Sequence, residues 1–210
     1  MNSQQYFDEV ANQWDTMRQG FFPEHVREKA LAVAEVQAGR QAADIGAGSG
    51  FMTEGLIQQG LHVTAIDQSE AMLTIMQQKF QHTQHVEYRQ GTAERLPLED
   101  QSMDYVFANM YLHHVESPAE AIAEMTRILK PGGKLVITDL DEHHFEFLRT
   151  EQYDRWLGFK REDISRWFEA AGLKHVSVDC VGDNCCAQSN CGCEAAAVSI
   201  FVASGERNGC

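Results

Sequence analysis

Apolar positions along the chain alternate between short continuous runs and helical spacing. Runs at 41–46, 61–67, 86–90, 103–110 and 134–140 have the length of buried strands. Segments between most of these runs place apolar residues three and four positions apart, so the pattern predicts βαβ units on a parallel sheet. Helices are predicted at these ranges: 3–18, 23–37, 51–59, 69–81, 117–129 and 161–171.

Two further strands are predicted at 174–181 and 195–204. The connection between them is short and rich in cysteine and glycine, so it has no room for a crossover helix and the two strands should pair antiparallel. We therefore expect an α/β fold: a doubly wound, seven-stranded, mostly parallel, Rossmann-like sheet with the last strand antiparallel.

Composition narrows the class of partner. Hydrophobic residues make up 43% and charged residues 23% of the chain, and no apolar run reaches the length of a membrane span. The N-terminus has no basic region followed by an apolar core, so we expect a soluble, cytoplasmic protein. A net charge of −14 argues against nucleic acid or an anionic membrane as partner and favours a small molecule. The sequence leaves the oligomeric state open.

A glycine-rich loop, "DIGAGSG", follows the first predicted strand and opens a helix. Its glycines allow a close approach of the backbone to a ligand, and Asp67 at the end of the second strand can accept the hydroxyls of a ribose. A dinucleotide fingerprint reads G-x-G-x-x-G, whereas Asp44 places a carboxylate where it would repel a pyrophosphate. The pattern favours a nucleoside with a cationic amino-acid end; a structural turn with a solvent-facing acid is the alternative.

With these motifs the chain resembles the class I S-adenosylmethionine (SAM)-dependent methyltransferases of the type 11 kind. The resemblance includes "DIGAGSG", Asp67 with "QSEAML", the block "GTAERLPLEDQSMDYVFANMYLHHV" and "ILKPGGKLVITD". It implies SAM as cofactor and methyl transfer as the activity.

The resemblance also implies cofactor-binding residues. Asp44 and the backbone of Gly46 and Gly48 would hold the methionine portion, and Asp67 the ribose. The remaining four positions would lie at the adenine or near the methyl group: Met72, Ala93, Glu94 and Asn109. Core packing for Met72, and turn or strand-end roles for Glu94 and Asn109, are the alternatives.

The expected domain organisation has three parts. Residues 1–40 form an N-terminal helical lid, 41–204 the methyltransferase domain with a cysteine-rich hairpin at 180–194, and 205–210 a tail. Candidate lid contacts to the cofactor are Tyr6, Phe7 and Trp14, and packing of these aromatic residues into the core is the alternative.

Acids and histidines follow the fourth and fifth strands at the edge where open α/β sheets bind ligands. A general base could come from His113 or His114, or from the segment 139–144; capping of a loop and a solvated acidic turn are the alternatives. The amphipathic segment 143–159 either covers the substrate or packs as a helix. The sequence assigns no catalytic residue.

Five of the six cysteines lie between residues 180 and 193. Cys185, Cys186, Cys191 and Cys193 are candidates to bind substrate or metal, and three hypotheses compete. They could hold structural zinc or an iron–sulfur site, form disulfides, or carry a thiophilic substrate such as As(III), which would make the chain similar to arsenite methyltransferases.

The predicted function is therefore SAM-dependent transfer of a methyl group to a small acceptor, with arsenite or another metalloid held by the cysteine hairpin as the first candidate. The alternatives are a small-molecule O-, N- or C-methyltransferase with a structural metal in that hairpin, and a SAM-binding metalloid sensor with little turnover.

Overall fold

A computed structural model describes residues 3–209. Seven strands are described: β1 Gln41–Ile45, β2 His62–Asp67, β3 Val86–Gln90, β4 Met103–Asn109, β5 Leu129–Leu140, β6 Leu173–Gln188 and β7 Ala195–Arg207. The described α-helices are α1 Ser3–Val10, α2 Trp14–Phe21, α3 His25–Ala34, α4 Phe51–Gln58, α5 Glu70–Lys79, α6 Pro118–Ile128, α7 Glu146–Glu151 and α8 Arg161–Ala170. No described helix is long and apolar enough to cross a bilayer.

The strands form one sheet in the order β3-β2-β1-β4-β5-β7-β6. Neighbours from β3 to β5 pair parallel, whereas β7 runs antiparallel to both β5 and β6. This confirms the predicted doubly wound sheet with an antiparallel last strand. The order reverses between β1 and β4, and a crevice for ligands opens beyond the carboxyl ends of the strands at such a point.

Helices cover both faces of the sheet because the central strands are apolar on both sides. On one face α6 and α8 contribute Ile122, Met125 and Phe168, each fully buried. On the other, α3 and α4 contribute Val26 and Leu56, which are also inaccessible to solvent. The two layers fix the strand ends that position the site.

Helix boundaries differ from the sequence predictions in three places. The helix expected at 3–18 is divided by a 3-10 turn at Ala11–Gln13, and the helix expected at 23–37 ends at Ala34 because Glu35 takes a left-handed conformation with φ 53°. Within 143–159 only α7 is helical, and the rest is a loop that packs against the site.

The final hairpin is longer than predicted. Strand β6 was expected to end at 181, but pairing with β7 resumes after an irregularity between Cys180 and Asn184, where Gly182 has φ 98°. Much of the cysteine segment is therefore strand. At the other end β7 continues through 205–207, which corrects the expected tail, because Arg207 donates hydrogen bonds to backbone carbonyls such as that of Thr126. Cys210 lies outside the described residues.

Candidate active site

The glycine loop between β1 and α4 is shaped by positive backbone angles. Gly46, Gly48 and Gly50 have φ of 67°, 54° and 92°, a region that strongly favours glycine. The backbone N–H of Gly46 donates to the Ile66 carbonyl over 2.8 Å, which ties the loop to β2. A Cβ at Gly46 would overlap the ring of Tyr111, so close packing also requires glycine there.

Asp44 lies at the base of this loop and is 1% exposed. Its Oδ2 accepts a hydrogen bond from the Thr53 hydroxyl at 2.6 Å. Burial raises the pKa of Asp44 to about 7, and the nearby Asp67 carboxylate adds to the rise, whereas the hydrogen bond from Thr53 opposes it. Because burial disfavours the ionised carboxylate, a cationic ligand group beside Asp44 would stabilise it.

Asp67 ends β2 and is held by backbone donors. Its two oxygens accept hydrogen bonds from the N–H groups of Gly48 at 2.8 Å and Ser69 at 2.9 Å. Burial raises the pKa of Asp67, and these hydrogen bonds work against that rise. Each carboxylate oxygen has a second lone pair, so Asp67 can also accept hydrogen bonds from a ligand.

These residues line a cavity, here called the loop cavity, that opens to solvent and includes about 590 Å³ of empty space. Six of the eight predicted cofactor residues belong to its lining: Asp44, Gly46, Gly48, Asp67, Met72 and Asn109.

The other two predicted cofactor residues lie outside that lining. Ala93 is fully buried, and Glu94 accepts a hydrogen bond from the backbone N–H of Glu116 at 2.9 Å. Tyr111 lies between the glycine loop and this segment, since its ring packs on Gly46 and its hydroxyl interacts with the backbone of Ala93.

The N-terminal helices cover the loop cavity. Phe7 and Trp14 belong to its lining, and Asp15 on α2 accepts a hydrogen bond from the Ser49 hydroxyl and pairs with Lys79 at 3.2 Å. Segments distant in sequence are thereby joined across the cavity.

Arg18 on α2 is a lining residue that sequence reasoning missed. It is only 6% exposed, and its guanidinium carbon lies 4.2 Å from the ring centroid of Phe51. Its Nη2 donates to Glu24, but Nε and Nη1 are buried with no hydrogen-bond partner among the described residues. Unsatisfied buried donors are costly, so Arg18 is suited to bind an anionic group. An arginine beside aromatic residues at the end of the lid segment was the available signal.

A second cavity, here called the aromatic cavity, adjoins the first; it also opens to solvent and includes about 480 Å³ of empty space. The two share a wall formed by Phe7, Trp14, Phe22, Met110 and His114. The aromatic cavity is also lined by these residues: Tyr6, Phe21, His113, Leu140, Leu148, Gln152, Asp154, Cys185 and Ala187. All three predicted lid aromatics therefore face a cavity, and Tyr6 is held by a hydrogen bond from its hydroxyl to Gln152 at 2.8 Å.

A buried histidine and two carboxylates lie at one side of the aromatic cavity. His113 Nδ1 is 2.7 Å from Asp139 Oδ1, and its Nε2 is 3.7 Å from Asp154 Oδ1. Burial alone would lower the pKa of His113, but Asp139 and Asp154 outweigh it and raise the pKa to about 9. Burial lowers the pKa of the neighbouring His114 well below its usual value, and the charge on His113 lowers it further. His113 and Asp139 thus form a buried ion pair beside the aromatic cavity. Asp141 instead forms an ion pair with Arg161.

The structure does not bring the four candidate cysteines into one site. Cys185 and Cys186 are successive residues of β6, so their side chains point to opposite faces: Cys185 lines the aromatic cavity and Cys186 is exposed. Cys191 and Cys193 form a disulfide in the turn after β6. Among residues 3–209 no cluster of potential metal ligands includes a cysteine. The four-thiolate site for zinc or As(III) is therefore not supported.

Comparison with known proteins agrees with this geometry. Residues 43–137 match the family model described as "Methyltransferase domain". The demethylmenaquinone methyltransferase of Bacillus cereus is 32% identical over 208 residues, covering 82% of this chain and 87% of that protein. The same-named protein of Renibacterium salmoninarum is 34% identical over 147 residues, or 69% of this chain, and the match spans 61% of that relative's length.

Solved structures show the same fold. The YcgJ protein of Bacillus subtilis aligns with a TM-score of 0.73 at 18% identity, covering 89% of this chain and 99% of that one. A phosphoethanolamine N-methyltransferase of Haemonchus contortus, solved with phosphomonomethylethanolamine and S-adenosylhomocysteine, aligns with a TM-score of 0.71 at 18% identity, covering 86% of this chain and 52% of that one. The chain belongs to the class I SAM-dependent methyltransferases.

Proposed function

We propose that this methyltransferase transfers the methyl group of SAM to a hydroxyl on a small, ring-containing acceptor bound in the aromatic cavity. The observation that carries the proposal is the wall shared by the two cavities. A cofactor on one side of Met110 and His114 and an acceptor on the other would meet there, and correct placement of two reactants supplies much of the rate acceleration in such transfers.

Three charged residues would orient SAM in the loop cavity. Asp44, which is buried and forms no ion pair with a cationic side chain among residues 3–209, would pair with the ammonium group of the methionine end. The two unpartnered nitrogens of Arg18 would bind its carboxylate as a bidentate pair. Asp67 would accept the ribose hydroxyls, as its position at the end of β2 favours.

The other predicted contacts follow from the same placement. Met72 and Asn109 would lie along the bound cofactor, since both line the loop cavity. The positively charged sulfonium makes the methyl group an electrophile. Phe7 and Trp14, which line both cavities, would exclude water from the shared wall during methyl transfer.

The acceptor class rests on the lining and on the relatives. Tyr6, Phe21 and Leu148 give the aromatic cavity an apolar wall suited to a flat ring. One relative carries the name ubiquinone biosynthesis O-methyltransferase, which specifies oxygen as its acceptor atom. The name demethylmenaquinone methyltransferase supports a quinol-type ring without specifying the acceptor atom. A metalloid acceptor has less support, because Cys185 is the one described cysteine in the lining of the aromatic cavity.

The test is a methyl-transfer assay with labelled SAM. Catechol, a demethylmenaquinol analogue, histamine and arsenite would be offered separately, and we expect the label in methyl ethers of the hydroxyl-bearing rings. Label in methylarsenic, in methylamines or on a ring carbon, with none in methyl ethers, would refute the proposed acceptor class.

A matched pair of variants tests the placement of the acceptor. Ala187 is buried and lines the aromatic cavity but not the loop cavity. Ala197, on the paired strand, is exposed and serves as the control position. Ala187→Leu should raise the KM for the acceptor severalfold with SAM affinity unchanged, and Ala197→Leu should change neither. Equal effects of the two substitutions would show that the acceptor binds elsewhere.

A further inference from the structure

Three side chains at the edge of the aromatic cavity form a cluster to which the proposed function assigns no contact with a charged or polar group of the cofactor. His113, His114 and Asp154 each bring one potential ligand atom within 4.8 Å of the others. The histidines lie in the 3-10 turn after β4, and Asp154 lies in the loop after α7. Among the described residues this is the one group of at least three histidine, cysteine or acidic side chains with such spacing.

His113 is held in the orientation that a metal ligand needs. Asp139, which is fully buried, lies 2.7 Å from His113 Nδ1, and its other oxygen accepts a hydrogen bond from the His113 backbone N–H at 3.3 Å. A carboxylate on one imidazole nitrogen directs the second nitrogen at the ion in most histidine metal sites. Here the second nitrogen, Nε2, faces Asp154.

The distance across that gap suits an ion better than a hydrogen bond. His113 Nε2 and Asp154 Oδ1 are 3.7 Å apart, well beyond the range of about 2.7–3.2 Å that is typical of an N–H···O hydrogen bond. Ligands bound to one ion at about 2.1 Å each lie up to about 4.2 Å apart. His114 Nδ1 is 3.4 Å from the Tyr153 carbonyl. When Nδ1 carries the ring proton and donates it there, the lone pair of Nε2 can bind an ion.

The charge balance also favours a cation. Asp139 and Asp154 are 0% and 4% exposed, and within the described part of the chain each forms an ion pair with His113. Even with His113 positively charged, two buried carboxylates exceed the one positive charge that contacts them in a mainly apolar wall, which is costly without a further positive group.

We propose that His113, His114 and Asp154 bind one divalent first-row transition metal ion, with zinc as the reference ion, and leave a coordination position open to the aromatic cavity. Two nitrogens and one carboxylate oxygen are the ligand set of catalytic zinc sites that keep an open position. Asp139 is then a positioning residue that fixes the orientation of His113.

The role of the metal rests on the proposed function. The ion would coordinate the acceptor hydroxyl and lower its pKa, so that its proton is released to solvent. The oxygen lone pair then forms the bond to the methyl carbon as the carbon–sulfur bond breaks, and that electron pair stays on sulfur, which leaves S-adenosylhomocysteine as a neutral thioether. Charge and atoms balance without another reactant.

The test is a titration of metal-free full-length protein with Co²⁺, followed by visible absorption and repeated with Zn²⁺ as competitor. We expect one equivalent of Co²⁺ to bind and to give the visible absorption bands of a site with nitrogen and oxygen ligands. Zn²⁺ should displace the bound Co²⁺. Asp154→Asn should weaken binding about 100-fold, and Asp139→Asn, which leaves all three ligands in place, about 10- to 100-fold. Circular dichroism of each variant shows whether it folds.

The surface supplies a matched control. His62 and His85 lie side by side on the exterior, with their Nδ1 atoms 3.3 Å apart, and could bind metal adventitiously. His62→Asn should leave the Co²⁺ titration unchanged. Loss of binding in His62→Asn with retention in folded Asp154→Asn would overturn the proposal, and so would a thiolate-to-cobalt charge-transfer band, which would assign the ion to the cysteines.

Metal binding and methyl transfer are measured separately, so that failure of the metal site can be distinguished from failure of the proposed function. Stoichiometric Co²⁺ at the proposed ligands without methylation of any offered acceptor would uphold the metal site and refute the proposed acceptor class. Equal methyl transfer by metal-free and metal-loaded protein would overturn the role of the ion in activating the hydroxyl.

Discussion

Cofactor affinity should depend on pH through Asp44. Its pKa is raised to about 7 by burial, so the carboxyl changes its charge within the neutral range. If only the ionised form pairs with the ammonium of the ligand, the competent fraction rises from about one-eleventh at pH 6.0 to about three-quarters at pH 7.5. Affinity should therefore increase about eightfold over this interval, equivalent to about 1.2 kcal/mol.

The assay is isothermal titration with S-adenosylhomocysteine, which carries the same amino-acid end as SAM and is not consumed. Asp44→Asn should bind weakly with no slope across the interval. Thr53→Val removes the 2.6 Å hydrogen bond that stabilises the ionised carboxyl, so the pH-dependent rise should move to higher pH. A flat profile for the wild type, or an unchanged slope in Asp44→Asn, would refute this reasoning.

The same carboxyl has the opposite effect on the stability of the ligand-free protein. Because the folded-state pKa of Asp44 lies above its unfolded value of 3.8, the folded state binds more protons, and stability decreases as pH rises from about 4 to about 7. The loss at neutral pH is on the order of 4 kcal/mol. Asp44→Asn should therefore raise the melting temperature without ligand at pH 7.5 and leave it nearly unchanged at pH 4.

Further substitutions test the loop, the core and the cysteines. Gly46→Ala should lower the free energy of unfolding by about 2–4 kcal/mol, because the added Cβ would meet the ring of Tyr111. Gly172→Ala is the control: Gly172 has φ 89° and open space around it, so the loss should be about 1 kcal/mol. Equal losses in urea denaturation would contradict the packing argument. Phe168→Ala should cost about 3–5 kcal/mol in the same assay, since Phe168 is fully buried, and a loss below about 1 kcal/mol would place it outside the core. Burial raises the pKa of Cys185 to about 12, so iodoacetamide at pH 8 should alkylate exposed Cys186 much faster than Cys185; mass spectrometry showing equal rates would contradict that burial.

Local sequence determined the strands, the glycine loop and the acids at its base. The pattern of apolar runs fixed the sheet because each βαβ unit must bury its apolar strand between helices. Asp44 and Asp67 could be identified because they stand at the ends of predicted strands, where the topology gathers ligand-binding groups. The single antiparallel strand followed from the length of one connection.

Tertiary structure decided which side chains line each of the two cavities. Arg18 at the loop cavity and His113 and Asp154 at the aromatic cavity come from three separate segments, and no periodicity indicates that a helix at the N-terminus will bury two unpaired nitrogens against the glycine loop. The cysteines illustrate the reverse case: their closeness in sequence suggested one site, but a strand directs neighbours such as Cys185 and Cys186 to opposite faces. Sequence proximity along a strand separates side chains, and the packing of distant segments brings functional ones together.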